Sequence, residues 1–351
     1  MKRCCRKIAA FCIAAIFLLP QSVLAAPRTS ARCAVLMDGH SGRVLWSHNA
    51  DRGSLIASTT KIMTCLLAVE LADPDALVSI PVQAVGVEGS SVYLREGEIL
   101  SVRELLYGLM LHSGNDAATA LAIYCSGSEE AFVAAMNRKA KDLGLDSTSF
   151  ANPHGLDSDN NFSTATDLAK LTRFAMGNPL FCEVVSTKST VISDRTLQNH
   201  NKLLWRYPGA IGVKTGYTKA AGRILVSCAE RDGRRLIAVT IHDPRDWEDH
   251  AAMLDYGFEQ YEMSCLLEAG EILGSIPVLG GAEEYVQAVA DAPFTLPVSR
   301  SEVVTYRLNT PVFVFAPVLA GDPAGTVSVL IDGIETAKVP LYWRYSVMEG
   351  A

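Results

Sequence analysis

Helical signals run through the first three quarters of this 351-residue chain and then stop, and that switch constrains the fold more than any other feature. Ser101 with Glu104 three positions on reads as a capping box opening a helix over 102–112. Ser128 caps another that runs to Leu143 with Gly144 past its end, and 164–176 keeps helical spacing. The apolar stretch 62–70 and the segment 116–125 complete a cluster of helices. Strand signals frame that cluster. Residues 33–37 and 44–46 flank the turn Asp38–Gly42, while 210–216, 224–228 and 236–242 read as adjoining strands, with a last helix over 248–258 returning across them. Beyond Glu262 short segments at 271–273, 285–289, 303–306, 312–315 and 326–331 recur between Gly and Pro turns, the pattern of a small all-β domain. The expected architecture is therefore an α/β (α+β) domain over residues 26–262, an antiparallel sheet with a helical cluster, followed by a β-rich domain over 263–351.

The N-terminus adds a compartment. Lys2, Arg3, Arg6 and Lys7 precede the apolar run 8–19, and Val23-Leu24-Ala25-Ala26 supplies small residues for cleavage, so residues 1–25 read as a secretory signal peptide. The apolar run is shorter than the roughly 20 residues a membrane span needs. About 325 residues remain, more than one core ordinarily organises. A net charge of −7 argues against nucleic acid, because phosphate binding needs a basic face and none is apparent. Cys33, Cys65, Cys125, Cys182, Cys228 and Cys265 are scattered without Cys-x-x-Cys or zinc spacing, several of them within apolar runs, and read as buried free thiols. Neither a metal nor a cofactor is expected.

Chemistry enters at Ser58-Thr-Thr-Lys61, where a polar turn meets the 62–70 helix. Three positions apart on a helix, Ser58 and Lys61 share a face, so the lysine nitrogen can reach the hydroxyl. A serine needs such a base, and a lysine serves as one when burial or a neighbouring cation lowers its pKa. The start of the helix also suits an oxyanion. Alone, Ser-x-x-Lys arises by chance roughly once in a chain of this length. Its company is what matters. Ser113-Gly-Asn115 lies in a short break between two expected helices, and Lys214-Thr-Gly216 occurs once, on an expected strand. Ser47-His-Asn49 and Ser158-Asp-Asn160 also match Ser-x-Asn, but both lie in polar loops and read as turn residues. On a strand lining a cleft, Lys214 and Thr215 could offer themselves to a carboxylate while Gly216 leaves room for a peptide. Lys214 close to Lys61 would depress the Lys61 pKa further.

The three motifs together, with Asn152-Pro-His-Gly-Leu156, Asn199-His-Asn-Lys-Leu203 and Gly212–Thr218 followed by Ala221-Gly222, resemble the serine-type D-alanyl-D-alanine carboxypeptidases, the low-molecular-mass penicillin-binding proteins, over nearly the whole chain. The resemblance implies a penicillin-recognising, β-lactamase-like domain with a β-rich domain after it. It further implies that Ser58 attacks the carbonyl between two terminal D-alanines, that Lys61 takes its proton, and that Ser113 relays a proton to the departing D-alanine. Asn115 would hold the peptide backbone, Lys214 and Thr215 the terminal carboxylate, and the N–H groups of Ser58 and Tyr217 the oxyanion. Peptidoglycan stem peptides would be substrates and β-lactams covalent inhibitors, at the outer face of the cytoplasmic membrane or the cell wall. Some members bind the carboxylate with an arginine after the sheet, and Arg245 is the nearest candidate here. Many relatives end in a membrane-binding amphipathic helix, whereas 342–351 is too short for one, which leaves membrane-surface association open. His112 beside Ser113 suggests a Ser-His-Asp triad, but no Gly-x-Ser-x-Gly elbow exists, and all seven histidines read as structural. Three alternatives stay open: a D,D-endopeptidase, a β-lactamase (although no Glu-x-x-Leu-Asn run is present), and a non-catalytic wall-binding or penicillin-sensing module.

Overall fold

The computed structural model describes residues 25–350; the expected signal peptide lies, but for its last residue, outside the described residues. A five-stranded, wholly antiparallel sheet forms the frame, in the order 44–48, 33–38, 234–241, 222–231 and 210–218. Alternation decides what each face meets. Leu36, Leu225, Leu236 and Ala238 point toward helix α8 (Asp246–Gln260), whereas Val35, Met37, Val226 and Val239 point into the helical cluster. The strand Ala210–Thr218 is an edge, and it is the edge on which the site is built.

The cluster comprises α1 (Lys61–Leu71), α2 (Val102–Leu111), α3 (Asn115–Ser126), α4 (Glu129–Asp142), α5 (Ala165–Ala175), α6 (Pro179–Ser186) and the single turn α7 (Leu203–Arg206). The caps expected at Ser101 and Ser128 are present, and Thr164 adds a third. Ser101 Oγ accepts from Glu104 N while Glu104 Oε2 accepts from Ser101 N, and Ser128 and Thr164 cap α4 and α5. α1 and α3 carry almost no polar face because both run through the interior, with eight residues of each buried. A buried helix is a rigid mount for catalytic groups at its ends.

Strand Tyr261–Leu267 leads directly from α8 into the second domain, where it pairs with 294–299. A six-stranded sheet follows, ordered 304–309, 323–331, 334–343, 285–290, 272–279 and 314–315, the last pairing parallel. Its own core gathers Val286, Ala288, Val327, Val329, Leu341 and Trp343. Arg43 joins the two domains by donating to Pro297 O and pairing with Glu302, and Tyr261 Oη donates to Leu45 O at 2.6 Å. The expected α/β domain with antiparallel sheet and helical cluster, then an all-β domain, is the observed fold.

Among Cys33, Cys65, Cys125, Cys182, Cys228 and Cys265, all free, five are buried or half-buried; Cys265 departs from the expectation by being exposed.

Candidate active site

Ser58 sits in a 3₁₀ turn over 57–60 that feeds α1, so the nucleophile precedes the α-helix proper by one turn. Ala57 holds φ at +45°, an uncommon conformation for a residue with a side chain, and strain of this kind concentrates where the surroundings over-determine the backbone. Those surroundings are visible. Gly155, at φ +94°, lies so close that a Cβ there would fall 2.0 Å from Ala57 O, and Thr64 Oγ1 donates to Pro153 O at 2.6 Å. The Pro153-His154-Gly155 loop therefore clamps the turn.

Lys61 is fully buried, and its Nζ has three neighbours: His154 O at 2.5 Å, Asn115 Oδ1 at 2.6 Å and Ser58 Oγ at 3.2 Å. Burial, and then the ammonium of Lys214, hold this amine well below the ordinary lysine range against an opposing pull from Asp116. A neutral amine has two N–H bonds and one lone pair. The two short contacts are to oxygens that can only accept, so they take both N–H groups and leave the lone pair for the Ser58 hydroxyl. That is the geometry of a general base.

Lys214, also buried, is pushed down to about 7 by its burial, and its Nζ donates to Thr215 O at 2.9 Å. Thr215 and Gly216 line the cleft with Ser58 and Ser113. Gly216 is required for a reason different from the one its sequence suggested. A Cβ there would meet Ile56 O at 3.2 Å and Ser58 N at 3.3 Å, so the glycine lets the strand press against the nucleophile turn rather than merely clearing space for a peptide. Tyr217 follows, 64% exposed, and also lines the cleft.

Ser113 is buried at φ +62°, and its Oγ has no hydrogen-bond partner among the described residues. A buried hydroxyl without a partner is costly unless something else completes it, which suits a group waiting for substrate. Asn115 opens α3 and spends its carboxamide on Lys61 and, through Nδ2, on Glu88 O at 2.5 Å. Its visible work is to orient the base rather than to face the cleft. Asp116 beside it accepts from Val92 N, Leu94 N and Ser91 Oγ, pinning the opposite lip.

The cleft has a volume of about 700 Å³ and continues past Thr215 to Lys202, Trp205, Arg206, Arg223 and Trp247, of which only Lys202 falls within a quoted motif. Only the Asn199–Leu203 wording hinted at this wall. Arg245 is not in it: its side chain is 63% exposed and pairs with Asp249 at 3.6 Å, and the arginines that line the cleft are Arg206 and Arg223. Of the histidines, His112 keeps an unpartnered buried Nδ1 and packs against His200, which lines the cleft, with ring centroids 5.1 Å apart. His250 is structural, locked between Ser227 Oγ (2.6 Å) and Thr240 Oγ1 (3.0 Å). Ser47 and Ser158, the competing Ser-x-Asn serines, lie away from the cleft in an edge strand and a turn.

A half-buried serine bonded to a buried lysine, facing a Lys-Thr-Gly edge strand, defines a serine acyl-transfer hydrolase of the penicillin-recognising fold. The comparisons with known proteins agree. A family described as D-alanyl-D-alanine carboxypeptidase matches residues 21–245, and one described as penicillin-binding protein 5, C-terminal domain, matches 261–349. The chain belongs to the D-alanyl-D-alanine carboxypeptidase family, and it has that family's serine-hydrolase activity. It is 34% identical over 327 residues to the D-alanyl-D-alanine carboxypeptidase DacF of Bacillus subtilis (strain 168), covering 89% of this chain and 84% of that one. With DacC of Escherichia coli (strain K12) it shares 32% over 350 residues, 94% and 87% of the two chains. Penicillin-binding protein 5 from Haemophilus influenzae superposes with a TM-score of 0.81 at 30% identity, covering 93% of this chain and all of that one.

Proposed function

We propose that Ser58 is the nucleophile, Lys61 its base and Ser113 the proton donor to the leaving group, acting on peptidoglycan stem peptides that end in D-Ala-D-Ala. Ser58 Oγ attacks the carbonyl carbon of the bond between the two D-alanines as its proton moves to the Lys61 lone pair. The N–H groups of Ser58 and Tyr217 donate to the developing oxyanion. As the C–N bond breaks, the proton passes through Ser113 to the amine of the departing D-alanine, and water then hydrolyses the ester. Lys214 and Thr215 hold the terminal carboxylate. Asn115, expected to hold the peptide backbone, acts here by orienting Lys61, and Gly216 lets the strand approach the nucleophile turn. A β-lactam would acylate Ser58 by the same route and release slowly.

The observation that carries this reading is the set of three contacts around Lys61 Nζ, which leave one lone pair and aim it at one hydroxyl. The chemistry resides in residues 26–262, with 263–351 a separate β-rich domain; α8 ends at Gln260 and the second family match begins at 261, which supports a division two residues earlier than that boundary. Export by residues 1–25 would put the enzyme where its substrate is, at the outer face of the cytoplasmic membrane or in the wall.

The test is to incubate the wild-type protein and Ser58→Ala with a fluorescent penicillin and with a pentapeptide ending in D-Ala-D-Ala. Slow-releasing label and free D-alanine are expected from the wild type alone. Rapid turnover of the penicillin would point to a β-lactamase, and absence of label on both proteins would remove the enzymatic reading.

A further inference from the structure

The wall of the cleft beyond Thr215 has a chemistry that removal of one alanine does not use. Lys202 and Arg206, four positions apart on one turn and hence neighbours on its surface, are exposed and have no ion pair among the described residues. Between them Trp205 stands 46% exposed. Arg223 faces the same space, held by Asp246 through Nε (3.1 Å) and Nη2 (2.8 Å) and stacked over Trp247 with its guanidinium 5.8 Å from the ring centroid. Asp246 is the one carboxylate on this wall and is already engaged by Arg223. A protein of net charge −7 thus concentrates two unneutralised cations and an exposed indole in its catalytic cleft. At about 700 Å³ the cleft is sized for a drug-like ligand or a short peptide, far more than a single alanine.

We propose that Lys202, Trp205 and Arg206 form a subsite for a carboxylate-bearing residue of the stem peptide outside its terminal D-Ala-D-Ala. The inference rests on the acyl-transfer reading and specifies which substrates that site prefers. Lys202 and Arg206 attract the free carboxylate, the face of Trp205 covers the aliphatic part of the same residue, and the Arg223–Asp246 pair closes the far end without adding net charge. Because these charges are solvent-exposed, the preference is electrostatic and salt-sensitive.

The experiment compares release of D-alanine from two pentapeptides identical except that the acidic stem residue carries a free carboxylate in one and an amide in the other. Acylation by a fluorescent penicillin, which has no stem residue, runs in parallel. The wild type is expected to favour the free acid by about threefold to tenfold in kcat/KM, mostly through KM, the size two exposed charge pairs supply. The preference should shrink as salt is raised from about 50 mM to about 500 mM. The double variant Lys202→Glu/Arg206→Glu should lose or reverse it, with the amidated peptide and the penicillin reacting as in the wild type. Equal rates on the two peptides by a wild type that still takes the penicillin label would overturn this proposal alone, as would a variant that loses all three activities together. A wild type that takes no label would overturn the acyl-transfer reading and this subsite with it.

Discussion

Gly155→Ala should disable the nucleophile without replacing any residue that takes part in the chemistry. The added methyl would sit 2.0 Å from Ala57 O and 2.9 Å from Ser58 N, where ordinary contact begins near 3.4 Å, so the turn or the loop must yield by about 1.4 Å (3.4 minus 2.0). The Ser58–Lys61 contact, at 3.2 Å, has no such slack, because another ångström takes it beyond hydrogen-bonding range. A displacement of about 1 Å costs on the order of 100-fold in rate. The backbone adds a second penalty, since φ is +94° and an L-residue forced there loses about 1–3 kcal/mol. A control separates the two effects. Gly144→Ala places a Cβ at φ +65° in open space, so it pays the backbone strain while leaving the site alone. The assay is the second-order rate of penicillin acylation, read beside thermal unfolding of both variants. Gly144→Ala should melt lower and acylate normally, whereas Gly155→Ala should melt lower and acylate about 100-fold more slowly. Acylation of folded Gly155→Ala at the wild-type rate would refute the argument that this loop positions the nucleophile.

Three further outcomes follow from the same contacts. Because burial pushes Lys214 down to about 7, its cationic, carboxylate-binding form is present below that pH and lost above it, so kcat/KM on a peptide with a free C-terminal carboxylate should fall above about pH 7; a profile still rising at pH 9 would remove Lys214 as the anchor. Burial likewise pushes His250 down to about 3, so between roughly pH 6.5 and 3 the unfolded chain binds a proton that the folded chain refuses; stability should rise with pH across that window, by about 3 kcal/mol between pH 4 and 7, and unfolding of His250→Gln should be flatter over the same range. Among the described thiols Cys265 alone is exposed, so a thiol reagent should modify it in the native protein, while Cys65 and Cys228, whose burial holds them protonated far above the usual thiol range, should react only after unfolding.

Sequence reading succeeded where the signal was local. The capping box at Ser101 and Glu104, the cap at Ser128, the helical spacing of 164–176 and the alternation of the three strands after Ala210 each depend on neighbours within a few positions, and each is realised in the fold. It missed α6, despite Asn178 capping it and Pro179 opening it, because eight residues give too short a period to stand out. The hairpin 189–198 went unread as well: Ser193 turns it at φ +50°, without the glycine that usually announces such a turn. Strand 334–343 was passed over for a related reason, since exposed and buried positions alternate only once it lies between its partners 323–331 and 285–290.

The same boundary runs through the site. Spacing alone put Ser58 and Lys61 on one face, and composition alone supplied a lysine and a threonine on a strand; those are properties of contiguous residues. Which oxygens strip Lys61 of its N–H bonds is a matter of closure over 54 and 93 positions, and one of the two is a backbone carbonyl that any residue at 154 would offer. No side-chain pattern could announce it. The choice of Arg223 over Arg245, the role of Gly216 as a spacer against Ser58 N, and the unpaired cations beyond Thr215 were likewise decided only when edge strand, helix starts and loop were brought within a few ångströms of one another. The chain carries its reactive groups in its local wording; their protonation, and so their reactivity, comes from the low-dielectric enclosure that only the assembled fold creates.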